Sequence, residues 1–193
     1  MENLFSPKLL ESVGIDRLLH AIVKDKISEA VRDNIRVRPL CSSDHESYLQ
    51  LLCELTDVGS VDNQEYIGGY SHTKYIVVSA TFNQMMRCPD TYYILVLENI
   101  SSNQIIAAAT LVIERKFIHS CAKRGHIEDL VVCSEYRGNN FGKFLVEALV
   151  AIGKHRGCYK ISLDCKDDKV RFYERIGFVR LNNVMYLRLD TQL

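Results

Sequence analysis

Two adjacent acidic residues, Glu128 and Asp129, lie within the apolar stretch 127–132. A carboxylate beside an amine can take up its proton, directly or through a water molecule, and so leave the amine neutral and nucleophilic. Acidic residues are rarely buried in a strand, so two adjacent carboxylates there indicate a functional role. We expect the two side chains to face opposite sides of a strand, because side-chain directions alternate. Alternatively, one of them forms a buried ion pair with Arg or Lys, since structural networks also recruit carboxylates.

A loop rich in glycine and asparagine, Arg137–Gly142, leads directly into an amphipathic helix pattern. The N–H groups of a helix's first turn are unsatisfied, and the helix dipole adds about half a positive charge there, so such a loop suits a phosphate. Gly138 and Gly142 let the backbone approach an anion closely, and Arg137 and Lys143 add charge. The glycine spacing matches neither a Walker loop nor the dinucleotide fingerprint. The alternative is a plain loop and helix cap with surface charges.

The surrounding periodicity predicts a mixed sheet flanked by helices, in the order βα(α)βββαβαβ. The helix after Gly142 joins strands 126–132 and 159–165, which we expect to be parallel neighbours. Asp164 would then be a third carboxylate beside the acidic pair. Residues 73–86 are predicted as helix, although their β-branched run also suits a strand. The other predicted elements are helices over 7–32 (broken at Gly14), 47–55 (capped by Ser43-Asp44) and 168–175, strands over 35–38, 92–97, 104–117 and 184–189, and a polar loop over 119–125.

The composition is that of one globular domain without a charge bias. The chain has 193 residues, of which 47% are hydrophobic and 25% charged, and its formal net charge is zero. This length suits one sizeable core, and the zero net charge disfavours nucleic-acid binding. No apolar run reaches the roughly 20 residues of a membrane helix, so we expect no integral membrane segment. Residues 1–6 lack the features of a targeting peptide.

The seven cysteines indicate reduced thiols. Their number is odd and no CxxC pair is present, so we expect small buried hydrophobes in a cytosolic or nuclear protein. His119, Cys121, His126 and Cys133 are close in sequence but lack the spacing of a zinc site, and we predict no metal. Cys133 or Cys165 as an acyl carrier would lack an evident base partner.

These residues resemble those of a known family. The R-x-x-N-x-G sequence of Arg137–Gly142 resembles the Gln/Arg-x-x-Gly-x-Gly/Ala pyrophosphate loop of the GNAT superfamily of acetyl-CoA-dependent N-acetyltransferases. Asn140 replaces the central glycine, and asparagine is the residue that best tolerates a left-handed backbone after glycine. Within the superfamily, residues 35–189 resemble the glucosamine 6-phosphate N-acetyltransferases, most densely over 113–178. The segments that carry this closer resemblance are Glu114–His119, Gly125–Val132, Cys158–Cys165 and Val170–Phe178.

The resemblance implies the GNAT α/β (α+β) fold, a mixed central β-sheet flanked by helices. Residues 35–193 would form the N-acetyltransferase domain, and residues 1–34 an extra N-terminal helical extension. That extension could pack on the dimer, which we expect, touch a membrane surface, or engage a partner. The resemblance also implies an intertwined homodimer in which both chains contribute to each sugar-phosphate site.

The activity that the resemblance implies is transfer of an acetyl group from acetyl-CoA to the amine of D-glucosamine 6-phosphate. The products would be N-acetyl-D-glucosamine 6-phosphate and CoA, and the reaction would serve UDP-N-acetylglucosamine biosynthesis in the cytoplasm. The amine would attack the thioester directly in a ternary complex, without a metal. One alternative is a GNAT enzyme for protein lysine or a polyamine, with an acidic or extended peptide groove. Another is a non-catalytic acyl-CoA-binding regulator, against which the retention of Glu128, Asp129 and Tyr173 argues.

The resemblance also implies roles for individual residues. Glu128 and Asp129, joined by Asp164, would act as base or position the amine, and Tyr173 would protonate the CoA thiolate. Packing against other aromatic rings is the alternative for Tyr173. Backbone N–H groups of a splayed strand would stabilise the oxyanion. The implied acetyl-CoA contacts are Leu130, Val131, Val132, Arg137, Gly138, Asn139, Asn140, Phe141, Gly142, Lys143, Asp164 and Tyr173. The implied substrate contacts are Thr56, Lys116, Phe117, Ile118, His119, Glu128, Asp129, Leu130, Tyr159, Lys160 and Arg188.

Overall fold

A five-stranded sheet forms the centre of the molecule. The computed structural model describes residues 2–23, 32–58, 66–67, 70–181, 183–187 and 189. The strands are β1 (Ile35–Pro39), β2 (Tyr66–Ile67), β3 (Tyr70–Ser71), β4 (Tyr92–Asn99), β5 (Gln104–Arg115), β6 (Lys123–Val132) and β7 (Cys158–Leu163). The sheet has the order β1-β4-β5-β6-β7, and β2 and β3 form a separate hairpin. All neighbouring pairs are antiparallel except β6 and β7. The predicted mixed sheet, and the parallel pair within it, are therefore confirmed.

Helices precede, connect and follow these strands. They are α1 (Lys8–Ser12), α2 (Ile15–Val23), α3 (His45–Leu52), α4 (His72–Met86), α5 (Phe141–His155) and α6 (Val170–Glu174). Gly14 has a φ of 69° and separates α1 from α2, which confirms the predicted break; residues 24–31 of the predicted first helix lie outside the described residues. The prediction of helix over 73–86 is confirmed by α4. In the part of the chain that the structure describes, no helix is long and apolar enough to cross a membrane.

Helices α5 and α2 cover one face of the sheet. Alternate residues of β5, from Ala107 to Ile113, pack against the buried side of α5. Ile15, Leu19 and Val23 of α2 belong to the same cluster and are at most 5% exposed. Each of these side chains contributes about 1.5–3 kcal/mol through burial. The N-terminal helices therefore pack against the sheet and α5 of their own chain.

Helices α3 and α4 cover part of the opposite face. Leu51 of α3 and Phe82 of α4 pack against Ile94, Ala108 and Val131 of the sheet. Because Ala108 lies between two β5 residues that face α5, this second cluster uses the alternate side chains of the same strand. The end of β6 is therefore held between two packed layers.

The helix predicted over 47–55 is α3, which begins two residues earlier and ends three residues earlier. Asp44 directly precedes α3 but makes no side-chain cap. Its carboxylate accepts hydrogen bonds from two nitrogens of Arg38, at 2.6 and 2.9 Å, and from the N–H of Cys41 at 2.8 Å. Arg38 also donates to Glu98. The predicted cap is wrong, because a bidentate ion pair takes the carboxylate.

The polar loop predicted over 119–125 is shorter than expected. The N–H of Lys116 donates to the carbonyl of Ala122 at 2.9 Å and closes a turn. Within this turn His119 and Ser120 have left-handed φ angles of 52° and 58°. Strand β6 then begins at Lys123, three residues before the predicted start.

The strand predicted over 184–189 is not formed by the described residues of that segment, 183–187 and 189. Its apolar side chains are exposed, with Met185, Leu187 and Leu189 at 93%, 86% and 90%. A strand needs a neighbouring strand for its hydrogen bonds. The prediction is wrong for a single chain, in which the described residues provide no strand to pair with this segment.

Candidate active site

Strands β6 and β7 separate next to the residues predicted to do chemistry. Their ladder ends at the pair Ile127–Leu163, whereas β6 continues to Val132 paired with β5 alone. Peptide groups of β6 that point toward β7 beyond this pair have no strand partner among the described residues. Arg137 uses one of them, since its Nε donates to the carbonyl of Val132 at 3.0 Å. This open edge can bind the backbone-like part of an extended ligand.

A β-bulge interrupts β6 at Asp129. Thr110 pairs with Glu128 and Ala108 pairs with Val131, so β6 has one residue more than β5 between these pairs. Asp129 has a φ of 51°. Bulges of this kind redirect side chains next to active sites.

The bulge brings both carboxylates of the acidic pair to the α3 face. Ile127 packs on the α5 face, so Glu128 faces α3 by alternation. Tyr48 of α3 has a pKa raised to about 12, first by its burial and then by the negative charge of Asp129. Burial also raises the pKa of the Asp129 carboxyl group, although the residue as a whole is exposed. The prediction that Glu128 and Asp129 face opposite sides is therefore wrong, because alternation fails at the extra residue.

His126 stands between the carboxylates of Glu128 and Asp164. Its Nε2 is 4.0 Å from Glu128 Oε1 and 3.8 Å from Asp164 Oδ2, and its Nδ1 is 2.9 Å from Ser162 Oγ. Carboxylates from two strands thus surround a space where the strands part, which suits the binding and deprotonation of an amine. An open, solvent-accessible pocket lies here, lined by Val112, Glu114, Arg124, His126 and Glu128.

The loop before α5 leaves the start of that helix open to an anion. Gly138 and Asn140 have left-handed φ angles of 84° and 63°. Asn140 occupies the N-cap position without a side-chain cap, so the N–H groups of the first turn remain free to bind a ligand. A Cβ on Gly142 would meet Phe172 and Val132 at 3.6 and 3.7 Å, which is ordinary contact. These groups fit a phosphate at the helix N-terminus.

The two cations of this loop have carboxylate partners. Arg137 Nη2 is 2.8 Å from Glu54 Oε2, and Glu54 also accepts the N–H of Ser134 at 2.9 Å. Lys143 Nζ is 3.7 Å from Glu147 Oε1, one turn later in α5. Both cations are predicted to face a phosphate, and Glu54 offsets the charge of Arg137 more strongly because the Arg137–Glu54 ion pair is shorter.

The other predicted coenzyme contacts line the same edge and loop. Leu130 and Val132 pack on the α5 side of β6, and Val131 packs in the α3 cluster. Phe141 is buried in the core at the start of α5. Asn139 Nδ2 donates to the carbonyl of Tyr136 at 3.0 Å and so closes the turn before the loop.

Tyr173 extends from α6 into an aromatic group. Its ring centroid is 4.9 Å from that of Phe172 and 6.1 Å from that of Phe178, both edge to face. The packing foreseen as the alternative is therefore present. Burial, and then the nearby Cys165, raise the pKa of the phenol. A phenol with a raised pKa stays protonated as a donor, so packing and proton donation are compatible.

Several residues predicted to bind the sugar phosphate form a second group at the other end of β7. The rings of His119 and Tyr159 are 4.8 Å apart, and Lys160 Nζ lies 5.4 Å above the Tyr159 ring. Tyr159 lies five positions before Asp164, which directly follows β7, and this corresponds to about 16 Å at the usual rise of a strand. One chain therefore does not bring this second group to the carboxylates.

The remaining predicted substrate contacts are scattered. Phe117 and Ile118 are 99% and 62% exposed, and Lys116 Nζ lies 2.7 Å from a glutamate of β5. Thr56 is exposed in the loop after α3. Arg188 lies outside the described residues.

Sequence reasoning missed side chains that support the site. Arg124 and His126 both bind Ser162 behind the carboxylates, while Glu54 binds the coenzyme loop and Tyr48 lies against the bulge. His126 and Ser162 could have been predicted from the sequence. His126 precedes Glu128 by two residues and Ser162 precedes Asp164 by two, so each shares the face of a predicted carboxylate on neighbouring parallel strands. Glu54 and Tyr48 gave no signal, because their contacts arise from tertiary packing.

The chain is similar to known acetyltransferases. Residues 55–178 match the acetyltransferase (GNAT) family. Identity is 41% with the probable glucosamine 6-phosphate N-acetyltransferase of Drosophila melanogaster, over 81% of this chain and 67% of that protein. Identity is 39% with glucosamine 6-phosphate N-acetyltransferase 1 of Dictyostelium discoideum, over 86% and 98%. The crystal structure of glucosamine-6-phosphate N-acetyltransferase from Arabidopsis thaliana matches with a TM-score of 0.71 and 34% identity, over 81% of this chain and 99% of that one. The chain therefore belongs to the GNAT family of acetyltransferases.

Proposed function

We propose that this protein transfers the acetyl group of acetyl-CoA to the amine of D-glucosamine 6-phosphate, giving N-acetyl-D-glucosamine 6-phosphate and CoA. The proposal is carried by the meeting of Glu128, Asp164 and His126 at the point where β6 and β7 separate. The phosphate-binding loop follows the same strand, so an amine at the carboxylates lies near a thioester bound along the open edge. The names of the similar proteins support the choice of acceptor.

In a direct transfer within a ternary complex, different residues of this chain carry out different steps. Glu128 and Asp129 bind the ammonium group and take its proton, and the raised pKa of Asp129 makes it a stronger base than an ordinary aspartate. Free N–H groups of β6 stabilise charge on the carbonyl oxygen. As the C–N bond forms and the C–S bond breaks, the phenol of Tyr173 donates to the departing thiolate. The amine reacts with the thioester without a metal or a covalent enzyme intermediate.

We further propose an intertwined homodimer in which each active site uses both chains. Lys160 and Asp164 of one chain are about 13 Å apart along β7, and a partner could bring its own cations to the carboxylates. The exposed apolar side chains of Met185 and Leu187 support this arrangement, because an exposed apolar segment indicates a contact with another chain. In the described part of the chain β7 is an edge strand, and an unpaired strand edge can bind a strand of a partner.

We propose a cytoplasmic enzyme whose catalytic domain spans residues 35–193, with residues 1–34 as an extension. All seven cysteines are free thiols, which suits a reducing compartment. The product is an N-acetylated amino-sugar phosphate, the kind of compound from which UDP-N-acetylglucosamine is built.

Thiol release from acetyl-CoA tests the proposed reaction. We expect release with glucosamine 6-phosphate, and a kcat/KM for unphosphorylated glucosamine lower by about 100-fold, since two charge-assisted hydrogen bonds to phosphate contribute roughly 1.5 kcal/mol or more each. Glu128→Gln is the matched control and should lose most of the rate. Preference for a lysine peptide or a polyamine would contradict the acceptor, and CoA binding without turnover on any amine would indicate a regulator.

A further inference from the structure

Given the proposed function, we propose that His126 is a positioning residue for the catalytic carboxylates, held in one tautomer by Ser162 and Arg124. The three side chains lie on one face of β6 and β7, because Ser162 pairs directly with His126 and Arg124 precedes His126 by two residues. They form a row that ends at Glu128 and Asp164.

Ser162 determines which imidazole nitrogen bears the proton. A hydroxyl group has one hydrogen and two lone pairs. Arg124 donates to Ser162 Oγ twice, from Nη2 at 2.7 Å and from Nε at 3.2 Å, and a guanidinium can only donate. Both lone pairs are thus used, so the hydroxyl hydrogen goes to His126 Nδ1 at 2.9 Å. Nδ1 is the acceptor, and the proton of the neutral ring is on Nε2.

The Nε2–H group of His126 therefore faces the two carboxylates. Its nitrogen is 3.8 Å from Asp164 Oδ2 and 4.0 Å from Glu128 Oε1. A side-chain rotation that shortens either distance by about 1 Å gives a charge-assisted hydrogen bond of ordinary length. His126 can then hold one carboxylate in place while the other contacts the amine.

The same hydrogen bonds exclude His126 as the base. With Nδ1 accepting from Ser162 and Nε2 bearing a hydrogen, the neutral ring has no free lone pair for the proton of the amine. A second proton on Nδ1 would require Arg124 to release one of its bonds to Ser162. Arg124 is also held by Glu114, at 3.4 Å, and Glu114 is paired with Lys116 at 2.7 Å, so the row is anchored at its far end.

A pair of substitutions separates positioning from a structural role. His126→Gln places an amide donor near the former Nε2 and can still reach the carboxylates, whereas His126→Asn places its amide near the former Nδ1 and cannot. We expect kcat to fall about tenfold or more in His126→Asn and about threefold or less in His126→Gln, because misplaced groups reduce rate steeply. KM for acetyl-CoA should change in neither variant. His155→Asn, at the exposed end of α5, is the control and should match the wild type.

The tautomer is measured without any substrate. Long-range ¹H–¹⁵N spectra of histidine-labelled protein, recorded at alkaline pH where imidazole rings are neutral, should show the hydrogen of His126 on Nε2. In Ser162→Ala, the His126 signals should shift toward a mixture of tautomers, and kcat should fall with unchanged KM for acetyl-CoA.

The outcomes distinguish this inference from the proposed function. If the wild type acetylates no glucosamine 6-phosphate, the proposed function fails, whatever the spectra show. If the wild type is active and His126→Asn keeps the wild-type kcat, or if the hydrogen is on Nδ1, the inference is overturned. Should His126→Asn fail to fold, as thermal unfolding would reveal, Ser162→Ala serves as the deciding variant, and a wild-type kcat and tautomer in it would overturn the inference.

Discussion

The side-chain amide of Asn140 donates to the backbone carbonyl of Ile22 at 3.2 Å and so joins the coenzyme loop to the end of α2. The same residue has the left-handed φ of 63° that the loop requires. Asn140 thus combines a backbone role, which glycine could fill, with an anchoring role, which glycine could not.

Replacing Asn140 with glycine should separate these roles. Glycine adopts the left-handed conformation without strain, so the KM for acetyl-CoA is expected to stay the same or fall. The free energy of unfolding is expected to fall by about 1 kcal/mol, because one hydrogen bond to the helix end is lost. Steady-state kinetics and urea unfolding measure the two effects. Asn140→Ala, which also strains the backbone by about 1–2 kcal/mol, should be the less stable variant, and a large rise in KM for Asn140→Gly would show that the side chain contacts the coenzyme.

Asp129→Asn should lower kcat and raise Tm. Burial raises the pKa of the Asp129 carboxyl group above its ordinary value of 3.8, so the folded protein binds this proton more tightly than the unfolded chain does. The ionised group therefore destabilises the fold increasingly as the pH rises from the unfolded pKa through the folded one. Asparagine removes the charge and tolerates the φ of 51°. We expect a higher Tm than wild type at pH 7, an advantage that shrinks toward pH 4, and a kcat lower by about 100-fold.

Thermal unfolding between pH 4 and pH 7, with kcat measured in parallel, checks both effects. Glu128→Gln is the comparison variant, since its side chain is half exposed and should lose rate without gaining Tm. A lower Tm for Asp129→Asn at pH 7 would mean that the carboxylate has a stabilising partner in the folded protein.

The parts of this fold that the sequence predicts are those marked by residue patterns within a short stretch of the chain. Strand β4 and strand β5 are recognisable from β-branched and aromatic runs separated by turn residues, and Gly14 marks the break between α1 and α2. The coenzyme loop is recognisable because Gly138 and Asn140 supply left-handed backbone in a short interval. Each of these features depends on residues close together in the chain.

The features that were predicted wrongly depend on contacts that form only in the folded chain. The capping signal at Asp44 is real, but Arg38 competes for the carboxylate from a neighbouring strand. The faces of Glu128 and Asp129 depend on a bulge, which arises from the register with β5 and shifts every following side chain. A local sequence pattern does not reveal which of these contacts the folded chain makes.

Tyr173→Phe should reduce the rate with little effect on stability. The phenol ring packs against Phe172 and Phe178, and its hydroxyl makes no hydrogen bond within the part of the chain that the structure describes. We therefore expect the free energy of unfolding to change by less than about 0.5 kcal/mol and kcat to fall about 100-fold. Because burial raises the pKa of Tyr173 above 10.0, the wild-type rate should show no loss from this group below pH 10. Single-turnover kinetics check the role, which an unchanged chemical step would disprove.

Glu54→Gln should strengthen acetyl-CoA binding. Glutamine keeps an acceptor for the N–H of Ser134 but no longer neutralises Arg137, whose guanidinium is 2.8 Å from the carboxylate. The KM for acetyl-CoA is expected to fall about two- to threefold at low ionic strength, and the effect should fade in high salt as charges are screened. Glu147→Gln, which frees Lys143 from a longer pair of 3.7 Å, is the matched control and should have a smaller effect. A raised KM in Glu54→Gln would indicate that the ion pair itself shapes the loop.

Mixing two inactive variants should restore activity if the active site is shared between chains. Glu128→Gln removes a carboxylate at one end of the sheet, and Lys160→Ala removes a cation at the other. In a mixed dimer one site would combine the intact Glu128 of one chain with the intact Lys160 of its partner. Random exchange of equal amounts gives half mixed dimers, each with one intact site, so about a quarter of the wild-type kcat should return. Co-refolding the variants and assaying thiol release tests this, and mixing without refolding is the control. If both residues serve the same chain's site, every site retains a defect and no activity returns.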